Sequence, residues 1–255
     1  MSASRLTFPL GAGRVVLRPD GAIAGVWAEA GSATSYLQSG GRVAVRIDGV
    51  PVEWPDISLA VDVDEVELHY AGRTDLELVV RHSFTGGWTI RTTFLNHSPE
   101  PVLLLAELAW EPTGDSPARA LAAGATGAYA IPPPGGTGLL LGGELVLGTC
   151  DTVGADRIGL GRFTLDPLER RVVQWRWDWF ATPRTFGNAR FPAVPRDLVL
   201  ATGEVALIAA DDDEAVVAPG GDLTRRGGHL ELSATVPQTV AVQVSSRRGV
   251  TEYEV

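Results

Sequence analysis

Residues 174–180 read Gln-Trp-Arg-Trp-Asp-Trp-Phe, a spacing suited to stacking sugar rings on indole faces. Side chains of an extended strand alternate between its two faces. Trp175, Trp177 and Trp179 therefore share one face, and Arg176 and Asp178 share the other. Three indoles in line offer flat apolar surfaces to the C–H side of a pyranose, while Arg176 and Asp178 suit mutual pairing or hydrogen bonds to hydroxyls. The same indoles can instead fill the interior between two packed sheets, each N–H finding a buried acceptor. Val172 and Val173 already begin a buried strand, so Trp175 and Trp177 are expected in the core. Trp179 borders a loop and suits either role. That loop, Pro-Arg-Thr-Phe-Gly-Asn-Ala-Arg-Phe-Pro over 183–192, mixes Arg184, Asn188 and aromatic rings, as grooves and interdomain contacts do. Trp179, Arg184, Asn188, Arg176 and Asp178 are the candidate residues for binding carbohydrate or docking a partner.

Other chemistry is poorly served. The chain has no Gly-x-Ser-x-Gly elbow, Walker loop, His-Glu-x-x-His helix or dinucleotide-binding glycine pattern. Gly11-Ala12-Gly13 precedes a strand pattern rather than a helix, so it does not read as a phosphate loop. Asp211-Asp212-Asp213-Glu214 carries hard oxygen ligands but lacks the alternating spacing of a calcium loop, and reads as a solvated turn. Cys150 is the sole cysteine, which excludes an internal disulfide and a cysteine-built zinc site. No cofactor is expected.

The elements that must position these residues are strands. Thirty Gly and 17 Pro among 255 residues punctuate the chain with turns and disfavour long helices. Period-two alternation recurs at 14–18, 23–27, 42–48, 65–70, 75–84, 88–95 and 102–110. It resumes at 138–147, 157–165 and 170–179, then in short closing strands from 197 to 245 and a last one to 255. Residues 118–123 allow one helical turn, and 181–196 read as a long ordered loop. About fifteen strands are too many for one open sheet, so two packed sheets in a single domain, 1–255, are expected. A formal charge of −10, with Arg as the only strong base, disfavours nucleic acid and anionic membrane as partners. The start lacks a signal-peptide apolar core, and a reducing cytoplasm is the expected location.

Residues 78–110 are more specific than their alternation. A strand, the Gly86-Gly87 turn and a second strand end in Asn96-x-Ser98-x-Glu100-Pro101 before a long apolar strand. This stretch resembles the central hairpin of galactose-mutarotase-like β-supersandwich domains. The Leu-Asp-Pro-Leu-Glu-Arg turn inside 163–180 is similar to a late turn of the same domains. The resemblance implies an all-β, antiparallel two-sheet supersandwich, as found in sugar epimerases and in amino-terminal sandwiches of glycoside hydrolases and phosphorylases. It also implies a histidine near the start of the strand after the corner, where this chain reads Ala106-Glu107-Leu108-Ala109-Trp110. The nearest substitutes are His97 and His82 with Glu107 as carboxylate, so no catalytic set is assigned. The expected function is a non-catalytic module of carbohydrate-active enzymes, binding carbohydrate weakly or packing against a downstream catalytic domain. Two alternatives stand beside it: a divergent sugar epimerase working by His/carboxylate acid–base catalysis, and a structural interaction protein with no sugar ligand.

Overall fold

A computed structural model describes residues 5–29, 31–71, 75–113, 119–124, 126–151, 156–182, 185–186, 201–208, 215–226, 229–246 and 249–254. The first strands are β1 (Leu6–Leu10), β2 (Gly13–Leu17), β3 (Ile23–Trp27), β4 (Leu37–Ile47), β5 (Val50–Pro51), β6 (Asp56–Val61) and β7 (Glu65–Ala71). Next come β8 (Leu76–Ser83), β9 (Trp88–Asn96), β10 (Val102–Pro112), β11 (Arg119–Gly124), β12 (Ala128–Ile131), β13 (Leu140–Leu147) and β14 (Arg157–Leu165). The last are β15 (Arg170–Phe180), β16 (Ala206–Ile208), β17 (Ala215–Val217), β18 (Asp222–Arg226), β19 (His229–Ser233), β20 (Ala241–Ser246) and β21 (Gly249–Glu254).

A seven-stranded sheet runs β1-β2-β3-β4-β10-β14, with β5 paired to β4. An eleven-stranded sheet runs β17-β20-β21-β11-β12-β13-β15-β9-β8-β7-β6. Among the described residues every strand pair is antiparallel, and consecutive partners such as β1–β2, β7–β8 and β8–β9 are joined by short turns. The main core lies between these sheets, filled by alternate residues of each strand. Val66, Leu68 and Tyr70 of β7 point inward, followed by Leu76, Leu78 and Val80 of β8 and then Trp88, Ile90 and Phe94 of β9.

The turn from β8 to β9 needs a backbone that most side chains resist. Gly86 and Gly87 adopt φ of 69° and 124°, which glycine reaches without steric cost. At the other end of β9, the buried Asn96 closes the corner that the sequence singled out. Its Nδ2 donates to the carbonyls of Glu100 (2.9 Å) and Leu165 (3.0 Å), and its Oδ1 accepts from the Ser98 N–H at 2.9 Å. Ser98 Oγ in turn accepts from the Glu100 N–H at 3.0 Å.

Three features differ from expectation. Residues 119–124 form strand β11 rather than a helical turn, because pairing with β12 and β21 outweighs local propensity. Strands β1, β5, β6, β12 and β18 lie outside the runs read from the sequence, although β6 itself alternates through Ile57, Leu59 and Val61. A third sheet, β16-β19-β18, supplements the two expected. Ala206, Ile208, Leu230 and Leu232 from it pack with Val242 and Val244 of β20 against Ala128, Ala130 and Leu140, forming a second core. Among the described residues, no helix is long and apolar enough to cross a membrane.

Candidate functional site

The indole strip packs against the main core. Trp175 and Trp177 are buried between the main sheets. Trp177 meets Trp110 at 4.6 Å, Trp88 at 5.9 Å and Tyr129 at 6.0 Å between ring centroids. Among the described residues the expected N–H acceptors are absent: Nε1 of both Trp175 and Trp177 is buried without a hydrogen-bond partner. Gly143, opposite Trp177 across β13 and β15, makes room for this cluster; a Cβ there would come within 2.7 Å of the indole.

Trp179 is half-buried against the same core. Its Nε1 donates to the Leu10 carbonyl at 2.9 Å, and its ring meets Tyr36 edge-on at 4.9 Å. Leu10 and Tyr36 belong to the opposing side of the sandwich, so Trp179 clasps the two main sheets together. On the other face of β15, Arg176 Nε donates to Glu144 at 2.6 Å, while Asp178 accepts from the N–H of Trp179 at 2.8 Å. Arg184, Asn188 and Asp211 to Glu214 lie outside the described residues.

The acid–base candidates are dispersed. His82 points into the core, fully buried, with its Nδ1 accepting from Trp88 Nε1 at 3.2 Å and its Nε2 unpartnered. Burial pushes its pKa down to about 4. Glu107 faces outward from β10 of the seven-stranded sheet, 3.7 Å from Arg157. His97 lies at the end of β9 in the other sheet and bonds Glu77 at 2.7 Å. The sandwich core separates His97 from Glu107, so the structure does not bring this pair together.

A different constellation occupies the open face of the large sheet. The outward face near β12 and β13 is apolar and covered by the second core, whereas the outward face of β7, β8, β9 and the start of β15 is exposed and charged. It forms a hollow of about 300 Å³. Strand pairing sets its rows: Glu67 opposite Arg81 opposite Arg91, then His69 opposite Val79 opposite Thr93, with Leu95 opposite both Glu77 and Arg170. Glu67 accepts from Arg81 Nε at 2.7 Å and bonds His69 Nε2 at 2.7 Å. Arg81, then His69, holds the Glu67 carboxyl below its usual range, and the same contact raises the pKa of Arg81. His69 Nδ1 stands 4.0 Å from Glu77, which bonds His97 on its other oxygen. The result is a row of alternating carboxylates and imidazoles, Glu67–His69–Glu77–His97, beside Arg91, Thr93 and Arg170.

Apart from His97, already a candidate from the sequence, these residues were missed because outward charges on alternating strands look the same whether they line a site or merely meet water. The legible signal was their density on three consecutive strands. Among the described residues, no group of three or more His, Cys, Asp and Glu is arranged to hold a metal ion.

No family model and no curated protein matches the chain. Among solved structures, a polysaccharide lyase superposes with a TM-score of 0.61 at 14% identity, over 99% of this chain and 45% of its own. The chain thus spans less than half the length of that lyase. A putative aldose 1-epimerase from Escherichia coli K12 aligns at a TM-score of 0.46 and 11% identity, over 70% of this chain and 100% of its own. A galactose mutarotase-like protein from Lactobacillus casei ATCC 334 gives 0.45 and 8%, over 69% and 100%. The likeness to the lyase, at its low identity, bears on fold and not on activity. The chain has the all-β, antiparallel sandwich fold expected from residues 78–110, and it shares that fold with part of the lyase.

Proposed function

We propose that this chain is a non-catalytic β-sandwich module of a carbohydrate-active protein, and that it holds a glycan on the open face of the large sheet. The observation that carries this reading is the hollow over β7, β8, β9 and β15, with its convergent charged and hydroxyl groups on an apolar floor. The four hydrogen-bonded strands fix the backbone positions from which these side chains project, which lowers the ordering cost of binding. Val79, Thr93 and Leu95 offer a floor for ring C–H groups, and the surrounding polar groups suit hydroxyls. The overlap with part of a longer polysaccharide lyase agrees with a module that works beside a catalytic domain.

Titrating oligosaccharides against the purified chain tests this. Thr93→Gln, which fills the floor with a longer neutral side chain from an outward position, is expected to weaken binding strongly while leaving the melting temperature nearly unchanged. Retained glycan binding by that variant would move the site elsewhere.

One observation favours a second reading. The Glu67–His69–Glu77–His97 row supplies carboxylates and imidazoles within hydrogen-bond reach, the group types that acid–base opening of a sugar ring needs. Polarimetry on glucose and galactose distinguishes the two. The expected result is no acceleration of mutarotation; a rate lost on His69→Ala or His97→Ala would establish the epimerase instead.

A further inference from the structure

Resting on the reading that the open face holds a glycan, we propose that the glycan is acidic, an oligosaccharide whose uronate carboxylates are bound by Arg91 and Arg170. Both carboxylates lining the hollow are already engaged. Glu67 is held by Arg81 and His69, and Glu77 by His97. The guanidinium groups of Arg91 and Arg170, by contrast, make no hydrogen bond or ion pair with any described residue. The chain carries a formal charge of −10, yet three guanidiniums face two carboxylates in this hollow.

The arrangement also carries a cost that an anion would relieve. Arg91 stands directly opposite Arg81 across β8 and β9, and like charges at that position weaken a sheet. Glu67 offsets Arg81 but not Arg91. A guanidinium is an always-charged planar fork that matches a carboxylate through two parallel hydrogen bonds.

Register sets the reach of the ligand. Arg170 pairs with Leu95, four positions beyond Arg91 along β9. At the rise of an extended strand this separates the two backbones by about 13 Å, so the arginines address two points of an extended ligand. The floor between them suits sugar rings. The inferred ligand is therefore an oligosaccharide with carboxylates on separate residues, not a single uronate.

Calorimetric titration of the purified chain with three probes tests this: a galacturonate trisaccharide, the neutral galactose trisaccharide, and that neutral trisaccharide carrying sulfate esters. The galacturonate probe is expected to bind about tenfold more tightly than the neutral one, with the difference shrinking as salt is added. Arg91→Gln and Arg170→Gln are each expected to remove most of that preference without lowering the melting temperature, and Arg91→Gln to raise it slightly by relieving the repulsion from Arg81. Equal affinity for acidic and neutral probes would overturn the acidic assignment while leaving the glycan reading intact. So would a preference that survives both substitutions, or one for the sulfated probe over the uronate. Failure of all three probes to bind would overturn both readings.

Discussion

His82 is an ionisable side chain sealed in an apolar interior, and its behaviour with pH follows from that placement. Burial lowers its folded-state pKa to about 4 from an ordinary 6.5, so the folded protein resists a proton that the unfolded chain accepts. Its contribution is complete above about pH 6.5 and is lost as pH falls toward 4, where the folded state also protonates. The loss amounts to about 3 kcal/mol at most. Urea melts between pH 7.5 and 4 are expected to show this steepening in the wild type and less of it in His82→Gln, whose amide oxygen can still accept from Trp88. Trp179 gives a second prediction at this scale. Because its indole joins Leu10 and Tyr36 across the sandwich, Trp179→Ala is expected to cost about 2–3 kcal/mol, against about 3–5 for Trp177→Ala. Glycan titration of Trp179→Ala at a temperature where it remains folded should match the wild type. A binding defect without a stability loss would restore the indole as a sugar platform.

The corner between β9 and β10 shows how one side chain sets the junction of several elements. Asn96 serves the backbone on both sides of its own turn and reaches the end of β14 through the Leu165 carbonyl. Asn96→Ala leaves two carbonyls and an N–H without these partners in a buried corner, and is expected to cost about 2–4 kcal/mol. Asn96→Asp keeps the acceptor for Ser98 but sets carboxylate oxygen against two carbonyl oxygens. Its chemical-denaturation midpoint is expected to fall at least as far as that of the alanine variant. If the aspartate variant were as stable as wild type, the two donated bonds would not be holding the corner. β9 carries the outward Arg91 and Thr93 as well, so stability at this corner also sets the position of the hollow's floor.

At the scale of the whole molecule, two cores share one large sheet. β21 links them, pairing with β20 on one side and β11 on the other. Deleting residues 249–255 is expected to loosen the second core, where Val242 and Val244 pack, while β8 and β9 stay protected in the main core. Hydrogen exchange checks this: amides of β19 and β20 should exchange quickly and those of β8 and β9 slowly. Uniform loss of protection would mean that the cores unfold as one unit. The reach of sequence reasoning follows the same division. Which face a side chain occupies depends on its own strand's period of two, so the burial of Trp175 and Trp177 and the outward aim of Arg176 and Asp178 were legible locally. The Asn96 corner was legible too, because most of its bonds close within a few residues. Strand neighbours and register are not local. Only long-range pairing sets β15 beside β9, bringing Arg170 to the hollow that Arg91 lines, and puts Glu107 in the opposite sheet from His97. Trp179 finds its acceptor in Leu10, 169 positions away. Alternation within a strand shows that a side chain faces out, but the tertiary structure decides what it faces, because the partner strand competes for pairing from anywhere in the chain.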